Sequence, residues 1–78
     1  MTASHLVGRT GTVTMSIPGG EVLGEIELPL AGGTERFLAR AVEPIGFDAP
    51  VLVIAERPGR IVDVEPWMPV PGTADRTM

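Results

Sequence analysis

Proline and glycine interrupt this chain at short and regular intervals. Breaks fall at Pro18-Gly19-Gly20, at Pro29 with Gly32-Gly33, from Pro44 to Pro50 around Gly46, and at Pro58-Gly59. Proline removes a helix hydrogen bond and glycine favours turns, so no stretch between breaks sustains a helix. What remains is five apolar segments of strand length. The chain reads as all-β.

The alternation within those segments assigns faces. Over residues 6–17, Gly11, Val13, Met15 and Ile17 alternate with Thr10, Thr12, Thr14 and Ser16, so Val13, Met15 and Ile17 are expected in the core. Over 21–28, Val22, Gly24, Ile26 and Leu28 point inward, Glu25 and Glu27 outward, and Leu23 is the outward exception. Over 34–43, Phe37, Ala39 and Ala41 share the inner face, with Arg36, Leu38 and Arg40 outside. Setting Leu28 opposite Glu35 places Glu27 against Arg36 outside and Ile26 against Phe37 inside, so charge and core pairing choose one register. The run Val51-Leu52-Val53-Ile54-Ala55 predicts a strand buried on both sides. After the Arg57-Pro58-Gly59-Arg60 turn, Ile61 to Glu65 form a fifth strand with Val62 and Val64 inside.

Five short strands must hide their edges, and at 78 residues, room for one small domain, a curled barrel does so. The expected fold is a small five-stranded OB-like barrel, with an SH3-like barrel as the alternative. Gly8, Gly11 and Gly24 suit its coiling and bulges. The expected organisation is a flexible N-terminal arm over 1–5, the barrel over 6–66, and a Pro-rich disordered tail over 67–78. With no cysteine, core packing alone must hold the domain. No charged n-region precedes an apolar stretch and no window approaches a spanning helix, so the chain reads as soluble and cytoplasmic, without direct membrane insertion.

Candidate chemistry is sparse. His5 is the sole histidine and, without cysteine or a second histidine, cannot supply the usual zinc ligand set. Ser4 and Ser16 lack a base in any foreseeable geometry. Glu21, Glu25, Glu27, Glu35 and Glu43 read as a solvated face beside Arg36 and Arg40, because general acid work needs a carboxyl in an apolar pocket. No catalytic residue, metal or cofactor is expected. Arg36, Leu38 and Arg40 occupy the face on which OB folds hold oligonucleotides or oligosaccharides. Against nucleic acid stand the net charge of −4, the nearby glutamates and the scarcity of aromatic platforms. Leu23, Leu38, Trp67 and Met68 fall outside the core or at its rim and would form a protein-binding patch if grouped. Trp67 reads equally as a plug for one end of the barrel.

Several elements in order carry a family resemblance. They are the opening Leu6-Val7-Gly8-Arg9-Thr10-Gly11-Thr12-Val13, the Pro-Gly-Gly turn at 18–20, Gly24-Glu25-Ile26, the strand Glu35-Arg36-Phe37-Leu38-Ala39-Arg40-Ala41, Ile45-Gly46 before Val51-Leu52-Val53, and the closing Ile61-Val62-Asp63-Val64-Glu65-Pro66. Over residues 6–66 this resembles the C-terminal soluble domain of NfeD-like proteins, in a short form without their transmembrane or protease parts. Relatives commonly carry Trp where this chain has Phe37. The resemblance implies an OB-type barrel and a non-catalytic interaction module that works beside a flotillin- or stomatin-like (SPFH) membrane scaffold protein or self-associates. The protease activity of longer relatives is not carried over, since no Ser-Lys dyad exists in a chain without lysine. The candidate interaction surface is Leu23, Glu25, Glu27, Arg36, Leu38, Arg40 and Trp67. A cytoplasmic protein recruited to the membrane by its partner is the corresponding expectation.

Overall fold

Charge and core pairing act together on the central hairpin. In the computed structural model, which describes residues 5–68, Gly24–Leu30 (β2) and Gly33–Arg40 (β3) pair antiparallel. Ile26 faces Phe37, Glu27 faces Arg36 and Leu28 faces Glu35, the register that the alternation predicts. Thr10–Met15 (β1) flanks β2 on one side and Pro50–Arg57 (β4) on the other. Ile61–Pro66 (β5) pairs antiparallel with β4 and then parallel with β3, which closes the sheet. The order β1-β2-β3-β5-β4 returns to β1, an OB-like five-stranded closed barrel, with no helix among the described residues.

One contiguous core fills the barrel. Val13, Ile26, Leu28, Phe37, Ala39, Val51, Val53, Val62 and Val64 enter from the strands, and Leu6, Ile17, Ala41 and Ile45 from the flanking segments. No polar or charged side chain among the described residues is buried with them. Two glycines let the wall coil tightly. A Cβ on Gly24 would lie 2.6 Å from the Met15 and Ser16 carbonyl oxygens, and one on Gly11 would meet the Glu27 carbonyl and lie 2.6 Å from Leu28 Cδ2.

Four expectations are corrected. Met15 is 61% exposed rather than in the core, because Thr14 is an extra residue between Val13 and Met15 against β2. A one-residue bulge moves every later side chain to the other face until the strand ends. Val22 is exposed because it precedes β2, in the tight turn closed by its N–H donating to Gly19 O at 3.3 Å. β4 is not buried on both sides: Val51 and Val53 point inward, while Ile54 is expelled at a second bulge opposite β5 and is 46% exposed. β1 begins at Thr10 rather than residue 6, since Gly8 adopts a φ of 94° and the Arg9 N–H folds back on Leu6 O. Of the tail expected over 67–78, residues 69–78 lie outside the described residues, as do residues 1–4 of the expected arm. Trp67 is described: its N–H donates to Pro50 O at 3.0 Å.

These placements set a stability order. Phe37→Ala is expected to lose about 3–5 kcal/mol by removing the largest side chain of the core. Gly24→Ala should lose about 1–3 kcal/mol by forcing two backbone carbonyls away from the new Cβ. Met15→Ala should stay within about 0.5 kcal/mol of wild type, as an exposed position. Urea unfolding followed by Trp67 fluorescence checks all three, and a large loss in Met15→Ala would contradict the bulge.

Candidate interaction surface

The outer wall of β2 and β3 carries five of the seven residues singled out from sequence, Glu25, Glu27, Arg36, Leu38 and Arg40. Several of its polar groups are engaged, with Glu25 at the centre. Thr14 Oγ1 donates to Glu25 Oε1 at 2.8 Å, and Arg36 Nη1 lies 3.8 Å from the same oxygen. Arg36 thus leans diagonally to Glu25 although Glu27 is its direct cross-strand neighbour. Leu38 stands between Glu25 on β2 and Ile61 on β5, half exposed.

Where β3 meets β5, the ion pairs are tighter. Arg40 Nε donates to Asp63 Oδ1 at 3.2 Å and its Nη1 to Glu21 Oε1 at 2.9 Å. Arg57 donates through Nε and Nη2 to Asp63 Oδ2 at 2.9 and 2.6 Å. Hydrogen bonds from Arg57, joined by those from Arg40, hold the Asp63 carboxyl below the usual carboxylate range against its partial burial. The hydrogen bond to Asp63 in turn raises Arg40. A groove of about 320 Å³ opens beside this network, between Glu21, Arg40, Val42, Ile54 and Asp63.

The two ends of the barrel differ in chemistry. At the β2–β3 and β4–β5 end, the Arg60 guanidinium sits 4.5 Å above the Phe37 ring and donates to Arg36 O and Glu35 Oε1. At the other end the β1–β2 and β3–β4 connections run side by side. Gly20 N–H bonds to Val42 O, Ile17 and Ile45 exchange backbone bonds, and Asp48 N–H bonds to Val13 O. Met15, Val22, Val42 and Phe47 are exposed there, with Trp67 and Met68 at the end of β5. Among the described residues no group of His, Asp or Glu comes together as a metal site, and no helix is long and apolar enough to cross a membrane.

The family model of the NfeD C-terminal domain matches residues 10–65, from the first residue of β1 to within one residue of the end of β5. The chain belongs to this family. The solution structure of the soluble domain of the NfeD protein YuaF from Bacillus subtilis is similar to this NfeD C-terminal domain, at 29% identity and a TM-score of 0.65, covering 81% of this chain and 75% of that one. No curated protein matches the sequence significantly.

In this NfeD C-terminal domain, Glu25, Glu27, Arg36, Leu38 and Arg40 share the β2–β3 wall, whereas Leu23 and Trp67 belong to the end where Val42 and Phe47 are exposed. Phe47 escapes a reading by alternation because it lies between strands, and Val42 falls in the expected 34–43 segment but beyond the end of β3 at Arg40. The available signal was two large apolar residues inside a Pro- and Gly-rich connection.

The Asp63 network predicts a pH dependence. Its native pKa is lowered, so its stabilisation is complete above the ordinary carboxylate value and is lost as pH falls through the depressed one. Asp63→Asn is expected to destabilise by about 1 kcal/mol at pH 7, allowing for solvent around Arg57, with the gap to wild type closing in acid. Urea titrations at neutral and acidic pH check this, and a constant gap would contradict it.

Proposed function

We propose that this chain is a non-catalytic protein-interaction module that works with a flotillin- or stomatin-like membrane scaffold protein and is held at the membrane, on its cytoplasmic side, through that partner. The observation that carries the reading is the exposed apolar rim on a domain of the NfeD family. Val42 is 90% and Phe47 70% exposed, whereas the side chains of the barrel core are all buried. Large apolar side chains gathered at one end of a small barrel gain from being covered, and a protein surface is the usual cover.

The electrostatics favour a protein over nucleic acid or an anionic sugar on the β2–β3 wall. Arg36, Arg40, Arg57 and Arg60 each lie against a carboxylate, so a phosphate would have to displace an existing ion pair at each of them. The nearest aromatic ring to Arg36 and Arg40 on β3, Phe37, is in the core.

The test is affinity capture from detergent-solubilised membranes and cytosol, with and without nuclease, read by mass spectrometry. Nuclease-insensitive recovery of a flotillin- or stomatin-like protein is the expected result. Recovery of nucleic acid, or of proteins that nuclease treatment removes, would overturn it.

A further inference from the structure

The apolar rim is fringed by charge of one sign. Glu21, Glu43, Asp48 and Glu65 are all exposed at the end that carries Met15, Val22, Val42, Phe47, Trp67 and Met68. Among the described residues Glu43, Asp48 and Glu65 have no ion-pair partner. The one arginine nearby, Arg40, is committed to Glu21 and Asp63. The other described arginines lie elsewhere: Arg9 precedes β1 and Arg57 and Arg60 flank the β4–β5 turn at the opposite end, while Arg36 sits on the wall. The two ends therefore differ: among the described residues the apolar end carries Glu43, Asp48 and Glu65 without an ion-pair partner, whereas at the other end Arg57 and Arg60 stand beside Glu35 and Glu56.

We propose that this end is the docking surface and that its occupant is a basic amphipathic segment of a protein partner, apolar side chains flanked by Lys or Arg. The inference deepens the proposed function and rests on it only in taking the partner to be a protein. The apolar centre supplies affinity on leaving water, and the carboxylate fringe selects and orients a cationic partner. A second copy would bring the same acidic fringe against itself, and an anionic lipid surface would be repelled by it. Backbone bonds from Gly20 to Val42, between Ile17 and Ile45, and from Asp48 to Val13 tie the two connections together before binding, which lowers the cost of ordering their backbone.

The test uses the full chain and two probes, a synthetic amphipathic peptide of leucine and lysine and the same peptide with glutamate at each lysine position. Backbone amide NMR shifts report the site. The lysine peptide is expected to perturb residues 15, 20–22, 42–48 and 65–68, and to bind at least about tenfold more tightly than the glutamate peptide. Phe47→Ser with Val42→Ser, both strongly exposed in the free protein, should weaken it at least about tenfold with the spectrum of the fold intact. Glu43→Lys with Asp48→Lys should reverse the preference between peptides.

Absence of saturable binding, equal affinity for both peptides, or shifts centred on Arg36 and Leu38 would overturn the proposal. So would concentration-dependent broadening without peptide, which assigns the rim to a second copy, or tighter binding to phosphatidylglycerol vesicles. Binding only after removal of residues 69–78 would make the chain's own C-terminal segment the occupant. Scaffold capture that survives Phe47→Ser/Val42→Ser but is lost in Leu38→Asp would overturn this inference and leave the proposed function standing. Selective lysine-peptide binding with no scaffold captured would do the reverse.

Discussion

Everything in this structure depends on the closure between β3 and β5. Only three residue pairs, Leu38 with Ile61, Ala39 with Val62 and Arg40 with Asp63, join the two strands in parallel. Side chains reinforce the short seam at both ends. Arg60, held at a φ of 61°, accepts the Leu38 N–H on its carbonyl and places its guanidinium over Phe37, while Arg40 and Arg57 converge on Asp63 at the far end. Without that seam β3 and β5 would both be open edges, and an exposed strand edge invites pairing with other chains. With it, five strands enclose one apolar core.

Closing so few strands around a core demands strong coiling, and the chain meets that demand with single extra residues and missing side chains. Thr14 in β1 and Ile54 in β4 each lie at a step in pairing, and Gly11 and Gly24 allow backbone carbonyls to approach where a Cβ would collide. These devices also decide what solvent and partners meet. The first bulge turns Met15 outward beside the β3–β4 connection, and the second pushes Ile54 into the groove next to Arg40 and Asp63. The same distortion that lets the barrel close thus supplies part of its apolar exterior.

The surface that results is divided. On the long wall of β2 and β3, Arg36 lies against Glu25 and Arg40 reaches Glu21 and Asp63, so both arginines are committed and neither is open to an anionic ligand. The end built by the β1–β2 and β3–β4 connections has a different character, with apolar residues exposed and, among the described residues, Glu43, Asp48 and Glu65 without an ion-pair partner. In a domain of the NfeD family, that contrast turns attention from the wall to the end.

Much of this was legible from residue order alone. Alternation over residues 21–28 and 34–43 determined the β2–β3 register, because inward Ile26 and Phe37 and outward Glu27 and Arg36 agree on one pairing and a one-residue slip would bury the charges. The Pro and Gly breaks determined five strands, and the need to hide their edges pointed to a barrel. Tertiary structure alone decided where the alternation breaks. Met15 and Ile54 leave the expected faces because closing the ring needs bulges at those steps, and nothing local in Thr14 or Val53 marks them. It also decided which exposed residues gather. Val22 lies on the β1–β2 connection and Val42 and Phe47 on the β3–β4 connection, about twenty residues further along, and only the backbone bonds that lay the two connections side by side bring them to one end. Local pattern sets the face of a strand, whereas a rim exists only once the ring has closed.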